Sequence, residues 1–139
     1  MDIFIDSDVI ISSLLSKTGA AYILLHTDTI NPLLSSISQK EIEIVIARLD
    51  INKNIFIDLL RENLKVVPLL TSNNDIKKKF QEFVLDINDA HIVAGAKEAN
   101  VRFIITYNLK DFKIERIKDN YNIIVLTPGQ FLQYLRSRK

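Results

Sequence analysis

Five short apolar runs, separated by stretches of helical periodicity, constrain the fold of this chain more than any other feature. The runs are Asp2–Asp6, Pro32–Ile37, Lys65–Leu69, Arg102–Thr106 and Asn122–Leu126, each built around branched or aromatic residues such as Ile3-Phe4-Ile5 and Phe103-Ile104-Ile105. Continuous apolar runs of this length suit strands buried on both faces. Between them the spacing predicts helices over Val9–Leu15, Ala20–His26 and Glu41–Leu49. Another opens at Asn52 or Asn54 and carries Ile57, Leu60 and Leu64. A basic helix capped by Ser72-Asn73-Asn74-Asp75 runs to about Val84-Leu85, and Ala90–Ala99 forms the next. Pro128 suits the first turn of a last helix carrying Phe131, Leu132 and Leu135. Strands joined through helices pair in parallel, and right-handed crossovers cover both faces of the sheet. The expected architecture is a three-layer αβα sandwich around a parallel sheet of about five strands, with residues 1–139 as a single domain.

Local signals refine the boundaries. Ser7 or Asp8 is expected to cap the first helix. Ser38 with Glu41 three residues on has the spacing of a capping box. Ala94, Gly95, Ala96 and Ala99 are small enough to let their helix lie close to the sheet. No internal repeat, linker or low-complexity tract interrupts the pattern.

Composition removes several chemistries. The absence of cysteine excludes disulfides, zinc–thiolate sites and thiol catalysis. Two histidines, His26 and His91, argue against a multi-histidine metal site or a Ser-His-Asp hydrolase. Three glycines in all cannot supply the phosphate loop of a nucleotide-binding Rossmann domain. A phospho-receiver domain fits no better, because Val66-Val67-Pro68 ends without a phosphorylatable aspartate. Asp2, Asp6 and Asp8 interrupt any signal-like start, and no stretch reaches the ~20 apolar residues of a membrane span. The expectation is a soluble, cytoplasmic protein without a membrane partner.

Charge is divided along the chain. Residues 1–70 carry 6 Lys/Arg against 9 Asp/Glu, and residues 71–139 carry 12 against 8. Basic groups gather at Lys77-Lys78-Lys79, at Lys110, Lys113, Arg116 and Lys118, and at Arg136, Arg138 and Lys139. Taken singly, such patches are most often solvated faces, but beside an acidic centre they suit a polyanion.

The acids themselves lie where strands end. Asp6 follows the first run, Glu41 lies beyond the second, Asp89 opens the helix Ala90–Ala99, and Asn108 and Asp111 follow the fourth run. In a parallel α/β sheet these exits line one edge, where such folds place their sites. Carboxylates gathered there repel one another unless a cation offsets them, and oxygen ligands favour Mg²⁺ or Mn²⁺. Structural explanations compete residue by residue. Asp6 or Asp8 can cap a helix, Glu41 can complete a capping box, and Asp86 or Asn88 can hold the turn before Asp89. His91 falls on a helix that must be largely buried, so a satisfied core histidine is favoured over a catalytic base. Tyr107 could stack on a nucleobase.

Phe4-Ile5-Asp6-Ser7-Asp8-Val9-Ile10-Ile11-Ser12 resembles the opening Asp-x-Asn-Val motif of PIN-domain nucleases. Asp86-Ile87-Asn88-Asp89-Ala90-His91-Ile92-Val93-Ala94-Gly95-Ala96 is similar to their central Asp-Ala motif. Ile104-Ile105-Thr106-Tyr107-Asn108-Leu109-Lys110-Asp111-Phe112 resembles their Thr-x-Asn/Asp-x-x-Asp-Phe motif, and Val125–Leu132 their closing Pro-x-x-Phe-Leu segment. The resemblance spans nearly the whole chain and is nearest to the VapC-like toxins of toxin–antitoxin pairs. It implies an acidic pocket for Mg²⁺ or Mn²⁺, cleavage of single-stranded RNA, a cognate antitoxin and a homodimer. Two positions depart from the pattern. Asp8 stands where the family usually has Asn, and Asn108 where many members carry a fourth acid. An amide offers an oxygen without charge, which weakens a second cation site.

The resulting expectation is a metal-dependent endoribonuclease. Asp6, Glu41 and Asp89 hold the principal cation, directly or through water. Asp111 or Asn108, with Thr106, positions a second cation or the attacking water, and Asp8 and Asp86 support the group. Lys77, Lys78, Lys79, Lys110 and Lys113 hold backbone phosphates. The alternative is a PIN-like module that binds RNA or protein without cutting, and Asn108 is the residue that motivates it.

Overall fold

The computed structural model describes residues 1–138, so Lys139 of the C-terminal basic group lies outside the described residues. The central strand is β1 (Asp2–Ile5), flanked by β2 (Asn31–Ser35) and β4 (Phe103–Ile105). Outside these lie β3 (Lys65–Val67) and β5 (Ile124–Leu126), giving the order β3-β2-β1-β4-β5 with every pairing parallel. The five strands, the parallel pairing and the three layers match the sequence expectation.

Side-chain alternation explains how strands this short hold the molecule together. Ile3, Ile5, Leu34, Phe103 and Ile105 point to one face. They are covered there by α1 (Ser7–Leu15), α2 (Ala20–Leu25), α3 (Ser36–Arg48), α4 (Lys53–Glu62) and, at the chain's end, α8 (Pro128–Ser137). Phe4, Leu33, Ile104 and Val125 point to the other face, under α5 (Asn73–Phe80), α6 (Ala90–Glu98) and α7 (Ile114–Tyr121). Phe4, Phe56, Phe103 and Phe131 are almost wholly buried, each worth about 1.5–3 kcal/mol relative to exposure. Among the described residues no helix is long and apolar enough to cross a membrane.

Two helix starts differ from expectation, for one reason. The chain turns from strand to helix without a spacer, so the residue ending each strand becomes the cap. Asp6, not Ser7 or Asp8, caps α1, its Oδ1 accepting from Ser7 N at 2.7 Å. Ser35, not Ser38, caps α3, its Oγ accepting from Ser38 N at 2.9 Å. Glu41 is therefore no capping-box residue and belongs to the second turn of α3. Asn52 caps α4, Ser72 caps α5, and Thr127 with Gln130 forms a capping box behind Pro128.

Helix α7 was not anticipated. Its apolar stripe is only Ile114, Ile117 and Tyr121 amid charged residues, with Ile117 alone fully buried. The chain has few glycines to end helices, and Asp50, Asn100 and Asn122 take the left-handed conformation instead, each at φ 56° just after α3, α6 and α7.

Gly95 is required where α6 crosses β1. A Cβ there would fall 2.9 Å from Phe4 Cε1 and Cε2 and closer still to Cζ, and Phe4 is locked inside the sheet. Gly95→Ala is therefore expected to lower stability by roughly 1–3 kcal/mol, reversing the gain a helical Gly→Ala change ordinarily brings. Urea unfolding checks the sign, and an unchanged or raised midpoint would contradict this packing.

Candidate active site

Asp6 leaves the C-terminal end of the central strand and is almost completely buried. Its Oδ2 accepts from the fully buried Thr106 Oγ1 at 2.9 Å, 100 residues away in sequence. The neighbouring strand makes this possible, because Asp6 N donates to Ile105 O at 2.9 Å and sets the two strand ends side by side. Thr106 Oγ1 also accepts from Asn108 N at 3.0 Å, which folds the exit of β4 back over β1.

Asp8, in the first turn of α1, completes that clasp. Its Oδ2 accepts from Tyr107 N and from Asn108 Nδ2, both at 3.0 Å. Its Oδ1 is buried without a hydrogen-bond partner. A carboxylate oxygen left in that condition is costly unless something positive meets it.

Asp89 ends a short 3₁₀ turn over Ile87–Asp89 that leads directly into α6. Asp86 holds the turn, its Oδ1 accepting from Asn88 N at 3.0 Å and its carbonyl from Asp89 N at 2.9 Å. Asp86 thus has the structural part expected of it, while Asp89 is left half-buried. A second 3₁₀ turn over Leu109–Asp111 carries Asp111, whose carbonyl accepts from Leu85 N at 2.8 Å and ties this turn to the approach to Asp89.

Glu41 comes from α3 and meets His91 of α6, Nε2 lying 3.4 Å from Oε1. His91 is buried and its Nδ1 lies 2.8 Å from Ser35 Oγ, so it is the satisfied core histidine expected from its helix. Its contact with Glu41, and the part played by Ser35, had no sequence signal. The pair is 56 residues apart, and neither residue belongs to a recognisable spacing.

The electrostatics tie these acids into one group. Burial raises the Asp6 carboxyl above the ordinary aspartate value of 3.8; Thr106, Ser7 and His91 pull it back, and Glu41 adds to the rise. Asp8 is pushed up to about 7, first by burial and then by the charge of Asp6. Asp89 is likewise pushed up to about 7, by burial and then by Asp6, Asp86, Asp111 and Glu41. Six carboxylates from four segments of the chain therefore share one field at the C-terminal edge of the sheet.

Lys110 lies within the Asp111 turn and Lys113 just before α7, so both flank this edge. Lys77, Lys78 and Lys79 occupy the last turn of α5, where Lys79 Nζ lies 5.8 Å over the Phe80 ring. The structure gives these three no bond to the acids.

The donor set suits a hard divalent cation. Every candidate ligand is an oxygen, the Asp8 Oδ1 acceptor has no partner, and Asp6, Asp8 and Asp89 all resist ionisation. Among the described residues no three Asp, Glu or His side chains close around a common point as a finished ligand set. Mg²⁺ needs no such cage, since it commonly keeps several waters and takes one or two carboxylates.

A sequence model of the PIN domain matches residues 2–110. The chain belongs to the PIN-domain family. That match takes in Asp6, Glu41, Asp89 and Asn108 and stops one residue short of Asp111. No curated protein matches the sequence. Among solved structures, the chain is similar to VapBC2 from Rickettsia felis bound to a DNA fragment from the promoter, at 16% identity and a TM-score of 0.65. That alignment covers 91% of this chain and 98% of the other. A toxin–antitoxin complex from Klebsiella pneumoniae is similar at 20% identity and a TM-score of 0.67, covering 91% and 97%. At these identities the likeness concerns the fold. The PIN domain is a nuclease family.

Proposed function

We propose that this PIN domain is a Mg²⁺- or Mn²⁺-dependent endoribonuclease that cuts single-stranded RNA as the toxin of a toxin–antitoxin pair. The observation that carries the reading is the convergence of Asp6, Asp8, Glu41, Asp89 and Asp111 at one sheet edge, with Asp8 and Asp89 pushed up to about 7. Burial first, and mutual repulsion after it, oppose charge on these carboxylates, and that cost turns into binding energy when a dication is present.

Asp6, Glu41 and Asp89 hold the cation, directly or through water. The cation supplies positive charge against the phosphodiester and the departing oxygen, and lowers the cost of deprotonating water. Thr106 keeps Asp6 oriented by donating to Oδ2, and Asp8 holds the turn bearing Tyr107 and Asn108. Asp111 or the Asn108 carbonyl oxygen positions a second cation or the attacking water. Lys110 and Lys113 hold backbone phosphates, while the exposed Tyr107 ring offers a surface for an unstacked base.

Two partners follow from the same reading. The similar structures are toxin–antitoxin complexes, which supports a cognate antitoxin here. Exposed Ile57 of α4 lines, with Ile46, Ile51 and Leu60, a cavity of about 400 Å³ between α3 and α4, a surface suited to an antitoxin or a second copy of the chain.

The alternative of a module that binds RNA without cutting rests on one observation, the amide at position 108. Incubation with a mixed single-stranded RNA pool separates the two. With Mn²⁺ or Mg²⁺ the protein is expected to yield fragments, and EDTA or Asp89→Asn abolishes them. Binding without fragments favours the non-catalytic reading. Continued cutting by Asp89→Asn overturns the site assignment.

A further inference from the structure

Glu41 is the longest acidic side chain of this group, and no hydrogen bond holds it. It projects from the second turn of α3 as a long side chain that is 45% exposed, whereas Asp6 and Asp8 are held by hydrogen bonds. Fixing a free glutamate costs side-chain entropy, so a preorganised site needs something rigid to hold it.

His91 is rigid. Its side chain is 2% exposed and sits in the first turn of α6, two residues past Asp89. A buried imidazole needs partners for both nitrogens, and each has one candidate here. Ser35 Oγ, 2.8 Å from Nδ1, already accepts the Ser38 N–H as the cap of α3. A serine hydroxyl has one proton, and with Ser38 donating to it, that proton is free to go to Nδ1. In the neutral ring Nδ1 is then the acceptor and Nε2 carries the hydrogen. Nε2 faces Glu41 Oε1 at 3.4 Å, longer than a well-formed N–H···O bond and within reach of a small rotation of the exposed carboxylate. The opposite tautomer would set a ring lone pair against a carboxylate and leave the serine proton without an acceptor.

We propose that His91 is a positioning residue for Glu41: Ser35, by capping α3, fixes His91 as the Nε2–H tautomer, and His91 holds the Glu41 carboxylate toward the site. One serine thereby starts the helix that bears Glu41 and sets the imidazole that orients it. Through α6 the arrangement also couples Glu41 to Asp89. Its effect on catalysis rests on the nuclease reading, whereas the tautomer does not.

The test has two arms. Long-range ¹H–¹⁵N NMR of the metal-free wild type at pH 8 reads the His91 tautomer without reference to activity. Nε2–H is expected, and Nδ1–H would overturn the proposal. The second arm is a double-mutant cycle read by Mn²⁺ titration. His91→Phe is expected to weaken Mn²⁺ roughly 10-fold in the wild-type background, the usual effect of losing an outer partner of a ligand. It should have little further effect in Glu41→Gln, and His91→Gln, which keeps an N–H near the Nε2 position, should recover most of the affinity. An equal loss in both backgrounds marks His91 as packing only and overturns the proposal. Absence of Mn²⁺ binding by the wild type would instead remove the nuclease reading, and the NMR arm would still decide the tautomer.

Discussion

Asp6→Asn and Asp89→Asn are expected to lower metal-dependent RNA cleavage by roughly 100-fold or more, and Asp89→Asn should leave the metal-free protein as stable as the wild type, or more so. Loss of activity follows because each change removes a charged oxygen ligand. Stability follows the opposite course because each relieves repulsion. At position 6 the amide oxygen can still accept from Ser7 N, so α1 keeps a cap, but the loss of the Oδ2 that accepts from buried Thr106 Oγ1 offsets that relief. The pH dependence has a definite sign. Burial raises Asp6, Asp8 and Asp89 above their unfolded value of 3.8, and the last two reach about 7. The folded state therefore holds more protons than the unfolded state between these values. The contribution of these groups to stability is fully present below 3.8 and is lost as pH rises through about 7. In EDTA the Tm should fall across that window and then level. Mn²⁺ should restore it at pH 8, and Asp89→Asn should flatten part of the fall. Thermal melts of the three proteins with and without metal check this. A lower metal-free Tm for Asp89→Asn than for wild type at pH 8 would contradict the repulsion on which the site rests.

Asn108→Asp should destabilise the metal-free protein, and exchanging both residues as Asp8→Asn/Asn108→Asp should recover part of the loss. Asn108 Nδ2 donates to Asp8 Oδ2 at 3.0 Å, so a lone carboxylate at 108 loses that bond and faces a like charge. The bond is exposed and Asp8 Oδ2 keeps Tyr107 N as a donor, so the cost is that of one lost hydrogen bond and a like-charge contact, roughly 1 kcal/mol. The exchanged pair removes the like charge and restores the bond with its direction reversed, but it gives up the bond that Asp8 Oδ2 accepts from Tyr107 N, so recovery is partial. Sequence alone treated the amide at 108 as a missing acid, whereas the structure shows it bonded to the unexpected acid at position 8. The gain in second-cation affinity expected from a carboxylate at 108 then requires Asn at 8 as well. Urea unfolding in EDTA reads the stability of the single and double variants. A single variant as stable as wild type, or an exchanged pair no better than the single, would contradict this coupling. Asp111 differs from both: no side-chain hydrogen bond holds it in its 3₁₀ turn. Asp111→Asn should therefore leave stability unchanged and alter only metal-dependent behaviour.

The sheet was legible because its inner strands β1, β2 and β4 are buried on both faces and all five are built on short apolar runs. The edge on which the acids gather followed from that topology. Helix starts were displaced because Asp6 and Ser35 each end a strand and cap the next helix, a double role that a cap rule read one helix at a time assigns to later residues. Helix α7 was obscured because it rests on the sheet through little more than Ile117 and presents charge elsewhere. The clasp of Asp8 on Asn108 joins residues 100 apart, and Ser35 on His91 residues 56 apart. Such pairings are products of chain topology and leave no mark in local spacing. Asp6 was weighed as either a cap or a ligand, and its two oxygens have separate partners, Ser7 N on one and Thr106 Oγ1 on the other.

Isothermal titration of Mn²⁺ into the wild type, Asp6→Asn and Asp89→Asn at pH 8 tests the central claim most directly. The account predicts saturable binding by the wild type that both variants lose. Equal isotherms for all three proteins would contradict it.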